Sequence, residues 1–405
     1  MNLLRRYPIT WALIALVLAS ALAPLPPLID PVSGAPPYDV DLVRPTAYTA
    51  LAPLSNVLDA LTFLSLERAR AFVFVWVVAL VLGALVGSGA LRRRLTLAVL
   101  APVSLAALAA AAALLPRPVA RLVAADSTLT IIDYHAHTAA SHDGRPGWTA
   151  RDLARWHAAQ GFDAAYVTDH NVIFDDTASY AIRLLPGVEW SVYGQHVVAL
   201  GAVTLIDRSA YNRDTPGLLR LFTELHRAGS QGAIGLASLP EYWRNHWDDL
   251  DRFVAAGVDG FEIVNCAPKA IGFPPSARTR VLQLAQEHNL LVVGASDNHG
   301  WGKATCVWNL SSPSTQGYRA NRVLARSLAL AQGEWEPWTA AFTQPWLMLR
   351  GLSWSERSSW LTWLLVFLIY RAVPRRHGDP GGIGILARSL SLKLLRLRRA
   401  PPPPS

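Results

Sequence analysis

The sequence predicts an α/β barrel joined to about four transmembrane helices. Strand and helix patterns alternate between residues 126 and 337, long apolar runs lie on both sides of that region, and arginine clusters flank the runs. Hydrophobic residues make up 52% of the 405 residues and charged residues 16%, which is too apolar for an ordinary soluble protein. Because the apolar excess is confined to residues 1–120 and 358–373, we expect a globular domain held between membrane segments.

Four apolar runs approach the roughly 20 residues that a helix needs to cross a bilayer. The first follows Arg5 and Arg6 and could also be a signal peptide, with a cleavage-like segment at Ala21-Leu22-Ala23. We expect a helix there, because further spans follow. The third run is rich in alanine, so its alternative is a buried or interfacial helix. The predicted spans are residues 9–25, 71–90, 95–115 and 358–373, and a basic, proline-ending tail follows at 374–405.

The arginine clusters predict the topology. Arg5 and Arg6 precede the first span, Arg92 to Arg94 separate the second from the third, and Arg371 to Arg376 follow the fourth. Positively charged loops stay in the cytoplasm, which makes the protein a multi-pass protein of the cell membrane with its globular domain on the outer, periplasmic or extracellular, side. The net charge of +8 is thereby explained by topology, so the lipid bilayer is an expected partner and nucleic acid is not.

Residues 126–337 show alternating strands and helices, which predicts a largely parallel sheet. About seven strands within one domain of ~210 residues favour a closed barrel over an open sheet. The predicted helices are 149–160, 216–228, 247–256, 276–289 and 319–332. The predicted strands are 129–134, 164–168, 187–191, 196–201, 233–237, 260–264, 291–295 and 305–310.

Two cysteines, Cys266 and Cys306, lie in this domain outside any metal-binding spacing. We expect them to be small buried strand residues. A disulfide is the alternative if the compartment is oxidising.

Histidine and acidic residues lie at or next to the ends of the predicted strands, and barrel active sites lie at the carboxyl ends of strands. His135 and His137 end the first strand two residues apart, so both point to one face. One such pair is weak evidence, but the set indicates a metal site, because imidazole and carboxylate bind Zn²⁺, Mn²⁺ or Fe²⁺. The other members of the set are Asp169, His170, Glu189, His196, Asp297 and His299.

Four segments together resemble the motifs of the PHP (polymerase and histidinol phosphatase) family. They are DYHAHTAASHDG at 133–144, VTDHN at 167–171, PGVEWS at 186–191 and GASDNH at 294–299. The resemblance covers roughly residues 130–310, about half of the chain. It implies a distorted (β/α)7 barrel holding two or three metal ions, and most members of the family are phosphoesterases.

The resemblance also implies a ligand set when it is carried over by position. The first metal would be held by His135, His137, Glu189 and Asp297. Glu189 would bridge to a second metal, which His196 also binds. Asp143, His170 and His299 would hold a third, with His142 as the alternative to Asp143.

The chain departs from the family pattern at Leu239. The family usually has an Ala-His-Pro motif whose histidine binds the second metal, whereas this chain has Ala237-Ser-Leu-Pro240. Leu239 cannot be a ligand, so the second metal would bind weakly, or water or Glu241 would substitute.

The expected reaction is hydrolysis of a small phosphorylated substrate by a metal-activated water. Asp169, His170 and His299 are the candidates for proton transfer, and Arg145 and Lys303 are the candidates for holding the phosphate. Two alternatives stay open. One is metal-dependent hydrolysis of an amide or a nucleic-acid end, and the other is a non-catalytic exported sensor or scaffold.

Overall fold

The computed structural model describes residues 6–372 except 88, 177, 202–203, 229–232, 303, 313–316 and 332–335. The chain divides into two compact units, one of residues 1–15 and 361–405 and the other of Leu16–Trp360. Within the described part of the first, Tyr7 packs edge-on against Phe367 with ring centroids 5.9 Å apart. The predicted tail at 374–405 lies outside the described residues.

Thirteen α-helices occur among the described residues. Two of them, α4 and α5, are long and apolar, and they precede the strands that carry the histidine motifs. In chain order the helices are α1 Pro8–Ala19, α2 Thr46–Ala50, α3 Ala52–Thr62, α4 Leu66–Val86, α5 Leu91–Leu114, α6 Ala150–Ala159, α7 Thr215–Ala228, α8 Leu239–Tyr242, α9 Leu250–Ala255, α10 Pro275–Glu287, α11 Ser327–Leu330, α12 Ala340–Arg350 and α13 Trp354–Ala372.

The strands form one ten-stranded sheet and one two-stranded sheet. They are β1 Leu28–Ile29, β2 Val40–Val43, β3 Arg121–Ala124, β4 Thr130–Ala136, β5 Ala164–Val167, β6 Arg183–Val192, β7 Gln195–Leu200, β8 Ile234–Ser238, β9 Gly260–Asn265, β10 Leu291–Ala295, β11 Val307–Ser311 and β12 Asn321–Arg326. The large sheet has the order β1-β12-β11-β4-β5-β6-β7-β8-β9-β10, and β2 pairs with β3. The main hydrophobic core lies between this sheet and α7, α9 and α10.

The large sheet is mixed, so the prediction of a largely parallel sheet is wrong. Strands β4, β5 and β6 pair in parallel, as do β8, β9 and β10, but β7 is antiparallel to both of its neighbours. The cause is a two-residue turn at Tyr193 and Gly194, both with positive φ, a conformation typical of tight hairpins. Since the hairpin reverses the chain at once, His196 pairs directly with Ser191.

The α/β barrel prediction holds in a coarser form, because the sheet curls into a half-barrel. Its curl brings the end of β4 to the residues after β10. There Ala136 and Asn298 form an isolated parallel bridge, and the Asp297 amide donates to the His135 carbonyl at 2.9 Å. This curl places the carboxyl ends of β4 and β10, 160 residues apart in sequence, side by side.

Two local predictions are wrong. The predicted helix at 319–332 is mainly the strand β12, which pairs antiparallel along β11 and buries Val323 and Leu324 between its neighbours. Cys266 and Cys306 are buried as predicted, but they are not strand residues. They form the disulfide that was the alternative, which joins the segment after β9 to the segment before β11.

Two helices among the described residues, α4 and α5, are long and apolar enough to cross a membrane. Only 6% of the apolar window of each is buried, whereas the core helix of a soluble protein would be mostly buried. The prediction of four spans is not supported for the other two. Helix α1 has 12 residues, and α13 carries the charges of Glu356, Arg357 and Arg371 along its 19 residues.

Candidate metal centre

The end of β4 supplies two imidazoles that point at one position. His135 and His137 are fully buried, and their Nε2 atoms lie 2.9 Å apart. On the opposite side of each ring, His135 Nδ1 lies 2.6 Å from Glu262 Oε1 and His137 Nδ1 lies 2.8 Å from Ser141 Oγ. Nδ1 of each ring is turned to these partners, and the two Nε2 atoms face each other. Two imidazole nitrogens at this distance repel each other unless a proton or a cation lies between them.

Glu189, within β6 and paired with Val198 of β7, lies at the centre of the site. Its side chain is buried, and one carboxylate contacts four imidazoles. Oε2 lies 3.1 Å from His135 Nε2, 3.3 Å from His137 Nε2 and 3.3 Å from His170 Nδ1, while Oε1 lies 2.5 Å from His196 Nδ1. Burial acts to raise the pKa of Glu189, but the facing histidines His135 and His196 outweigh it and hold the pKa well below its usual value. Glu189 is therefore an ionised carboxylate whose two oxygens face two different groups of histidines.

Asp297 completes the group that contains His135 and His137, and it comes from the opposite edge of the curled sheet. It follows β10 with a φ of 46°, a left-handed conformation that aspartate tolerates better than most residues. Its Oδ1 lies 3.3 Å from His137 Nε2 and 3.4 Å from His299 Nδ1, and Asn265 donates to its Oδ2 at 3.1 Å. Burial opposes ionisation, but His135 and the other histidines hold the pKa of Asp297 well below its usual value.

Asp143, His170 and His299 form a second group at the mouth of the site. Asp143 Oδ1 lies 3.3 Å from His299 Nε2 and its Oδ2 lies 3.6 Å from His170 Nε2. Partial burial acts to raise the pKa of Asp143, but hydrogen bonds from these two histidines lower it strongly. His142 also lies close, with its ring 4.9 Å from that of His170. Both predicted alternatives at this position are therefore near the site.

The residues present fit a divalent metal ion. Three buried polar atoms, His170 Nδ1, Glu189 Oε1 and His299 Nε2, lie close to a partner but make no well-aligned hydrogen bond among the described residues, although buried polar atoms nearly always make one. Ligand atoms within 4.8 Å of one another occur in three groups, which are His135, His137 and Asp297; His137, His170 and His299; and His142, Asp143 and His170. Nitrogen and carboxylate donors in this proportion suit Zn²⁺, Mn²⁺ or Fe²⁺.

Two predicted residues, Asp169 and Arg145, are not part of the cluster. Both oxygens of Asp169 accept hydrogen bonds from Thr138, one from its amide and one from its hydroxyl, each at 2.7 Å. Asp169 is thus placed to fix the loop after β4 rather than to move a proton. The Arg145 guanidinium donates to the Gly300 carbonyl at 3.3 Å and does not line the cavity at the site. Lys303 lies outside the described residues.

The sequence analysis missed Glu262 and Tyr242. Glu262 is fully buried in β9, where it contacts His135 and accepts from Ser238 Oγ at 2.5 Å. A carboxylate within the apolar run Gly260–Asn265 was the available signal, since a buried acid needs a partner. The Tyr242 ring packs edge-on against His196 at 4.7 Å, and burial raises its pKa to about 12.

The segment after β8 agrees with the expected departure from the family pattern. Leu239 is buried in the main core, so it offers no ligand. Glu241 lines the cavity beside the site, and its Oε1 lies 3.0 Å from Lys269 Nζ. On this side of the site, Glu189 Oε1 and His196 Nδ1 are donor atoms that face each other.

The site opens into a cavity of about 590 Å³. His142, Asp143, His170, Glu189, His196 and His299 form its polar end. The volume lies within the range of pockets that hold small organic ligands.

No family model and no curated protein matches this chain. Among solved structures, it is similar to a candidate metal-dependent phosphoesterase from Bifidobacterium adolescentis, with 19% identity, a TM-score of 0.31 and coverage of 46% of this chain and 92% of that one. It is also similar to PsfC from Pseudomonas syringae, with 16% identity, a TM-score of 0.36 and coverage of 54% and 98%. A third match is the lesion-specific endonuclease EndoQ from Pyrococcus furiosus, with 9% identity, a TM-score of 0.31 and coverage of 47% and 54%. At these scores we draw nothing about activity from the matches.

Proposed function

We propose that the protein is a membrane-anchored, metal-dependent phosphoesterase of the PHP type. The observation that carries this proposal is the contact of one buried carboxylate, Glu189, with four imidazoles, of which those of His170 and His196 line the cavity. A carboxylate that bridges two groups of nitrogen ligands is the arrangement that a cluster of divalent cations needs.

In this proposal the chain holds two or three metal ions. His135, His137, Asp297 and one oxygen of Glu189 hold the first. The other oxygen of Glu189 and His196 hold the second, and Asp143, His170 and His299 the third. The bound ions supply Lewis acidity, which activates a water and neutralises charge on a phosphate group.

The reaction is the hydrolysis of a phosphate ester. The oxygen of a water forms a bond to phosphorus while the ester P–O bond breaks, and the leaving alcohol oxygen takes up a proton. His299 and His170 face the cavity, and whichever of them does not hold a metal ion is placed to receive or deliver that proton. Glu262 and Ser141 orient the imidazoles of His135 and His137 through their Nδ1 atoms.

We further propose that α4 and α5 anchor the protein in the cell membrane, as part of a multi-pass arrangement with the site on the outer side. The first turn of α5, next to the connection between the two helices, carries Arg92 to Arg94, which favours a cytoplasmic turn. The site is at the opposite ends of both helices. The disulfide between Cys266 and Cys306 also suits an oxidising, non-cytoplasmic compartment.

The test uses the full chain purified in detergent. Phosphomonoesters, phosphodiesters, amides and nucleic-acid ends are offered before and after chelation and with Zn²⁺, Mn²⁺ or Fe²⁺ restored. We expect phosphate-ester hydrolysis that disappears on chelation and returns with metal. Hydrolysis of amides alone, or of none of these substrates, overturns the proposal. A reporter fused within the globular domain tests the topology, and a cytoplasmic signal there would contradict it.

A further inference from the structure

The cavity at the metal centre has one polar end and one apolar wall. The polar end contains the imidazoles and carboxylates described above. The apolar wall comes from the two long helices, with Leu66, Ala69, Phe72 and Val73 on α4 and Ala109 and Ala113 on α5. A phosphate with a small polar alcohol would leave this wall without a partner, because apolar surface is stabilised by apolar contact.

The wall belongs to the ends of α4 and α5 that lie next to the globular domain. Its residues lie in the first turns of α4 and in the last turns of α5, which are at the same end of this pair of helices. Val73 lines the cavity and is also 43% exposed on the outer surface of its helix. Farther along, α4 exposes Phe74, Val78 and Leu82. The cavity therefore adjoins the surface that would contact hydrocarbon.

Exposed aromatic side chains lie beside the same part of α4. Trp338 and Phe342 are 62% and 69% exposed. The ring of Trp338 packs edge-on against that of Phe74 of α4 at 5.9 Å, and Trp76 Nε1 donates to the Ala341 carbonyl at 3.1 Å. Exposed tryptophan and phenylalanine beside a spanning helix are typical of the bilayer–water interface. Phe72 and Val73 of the cavity wall lie within one turn of Phe74, so the cavity is at the depth of lipid headgroups.

We propose that the substrate is a lipid phosphate, meaning a phosphate ester of a long-chain alcohol whose phosphate reaches the histidine cluster while its hydrocarbon chain lies along α4 and α5. This inference rests on the proposed phosphoesterase function and names its substrate class. The lipid enters sideways from the bilayer, past the exposed edge of α4. Hydrolysis transfers the phosphoryl group to water, releases phosphate into the aqueous phase and leaves the protonated long-chain alcohol in the membrane.

The test is a chain-length series of n-alkyl phosphates, from ethyl through octyl to dodecyl phosphate, offered to the full chain in one detergent with metal present. Each methylene that enters the apolar part of the cavity should raise kcat/KM roughly three- to fourfold, up to a plateau. Released inorganic phosphate is measured. Hydrolysis of ethyl and dodecyl phosphate with equal kcat/KM overturns the lipid inference and leaves the phosphoesterase function standing. Hydrolysis of no member of the series also overturns the lipid inference, and the phosphodiesters of the previous test then decide whether the phosphoesterase function stands.

A matched pair of variants distinguishes an effect of the cavity on chain-length preference from an effect of detergent on how the substrate is presented. Ala109 lines the cavity, its neighbour Ala110 does not, and both are exposed on α5. Ala109→Trp should lower the ratio of kcat/KM for dodecyl over ethyl phosphate at least tenfold, because the indole occupies the space of the chain. Ala110→Trp should leave the ratio at the wild-type value. Equal ratios in the two variants would overturn the proposal, since substrate presentation is the same for both.

Discussion

Glu262 Oε1 lies 2.6 Å from Nδ1 of His135, and both side chains are completely buried. The carboxylate accepts the Nδ1 proton, so Nε2 of the same ring carries the lone pair that faces Glu189 and His137. Neither residue type is unusual in a strand, but their pairing decides which nitrogen of His135 can bind a cation.

Changing Glu262 to Gln should weaken the metal centre without removing a ligand. The amide can present its oxygen to His135 Nδ1, but it lacks the charge that makes the imidazole a strong ligand. We expect a loss of roughly 10- to 100-fold in metal affinity or in kcat/KM, measured by metal titration and by phosphate release. Glu287→Gln is the control, because Glu287 is exposed and is the last residue of α10. A Glu262→Gln protein with wild-type affinity and turnover would show that the contact has no role in the site.

Removing the metal should lower the stability of the globular domain. Without cations, the imidazole nitrogens that face one another have no positive charge between them. The buried carboxylates of Glu189 and Asp297 then contact only these imidazoles. A metal present at 100 times its dissociation constant adds ~2.7 kcal/mol to the free energy of unfolding. We therefore expect Tm to fall on chelation and to recover with Mn²⁺ or Zn²⁺ in thermal denaturation. An unchanged Tm in the wild type, with the same value in Asp297→Ala, would contradict metal binding at this cluster.

The site could be predicted from sequence where short spacing and strand ends determine geometry. His135 and His137 share a face because of the two-residue period of a strand, and His170 and Asp297 follow strands that end at one edge. Glu262 was missed, because a lone carboxylate inside an apolar strand has no local motif and its partner lies 127 residues away. The direction of β7 was missed because the tight turn at Tyr193 and Gly194 decides it. The strand β12 was missed because its pairing with β11 overrides the local periodicity that indicated a helix.

Asp59 connects the N-terminal helices to the segment before β3. It receives two hydrogen bonds from Arg117, at 3.1 and 3.2 Å, and one from the Tyr48 hydroxyl at 2.9 Å, and its side chain is only 5% exposed. Asp59→Ala leaves the buried guanidinium of Arg117 without its carboxylate, which should lower the free energy of unfolding by about 3–5 kcal/mol. Denaturant unfolding in detergent measures the change. The exposed Asp41→Ala should shift stability by no more than ~0.5 kcal/mol, and an equal shift in both variants would contradict this assignment.

The disulfide between Cys266 and Cys306 should form in the mature protein and contribute to its stability. It closes a loop of 40 residues, for which removal of the bond typically costs about 2–4 kcal/mol. Reductant should therefore lower the Tm of the wild type but not that of the Cys266→Ser/Cys306→Ser variant. Thiol labelling of the denatured, unreduced chain counts the free cysteine thiols directly. Two reactive thiols per chain in protein purified without reductant would contradict the bond and remove one support for an outer location.

The most direct test of the metal centre is the number of divalent metal ions per chain, measured by elemental analysis of the purified full-length protein. We predict two or three ions for the wild type, and a loss of at least one ion in His135→Ala and in Asp297→Ala. His288→Ala, at an exposed histidine after α10, should retain the wild-type number. A wild type that binds no metal after incubation with Zn²⁺, Mn²⁺ or Fe²⁺, or alanine variants that retain the full complement, would contradict the account.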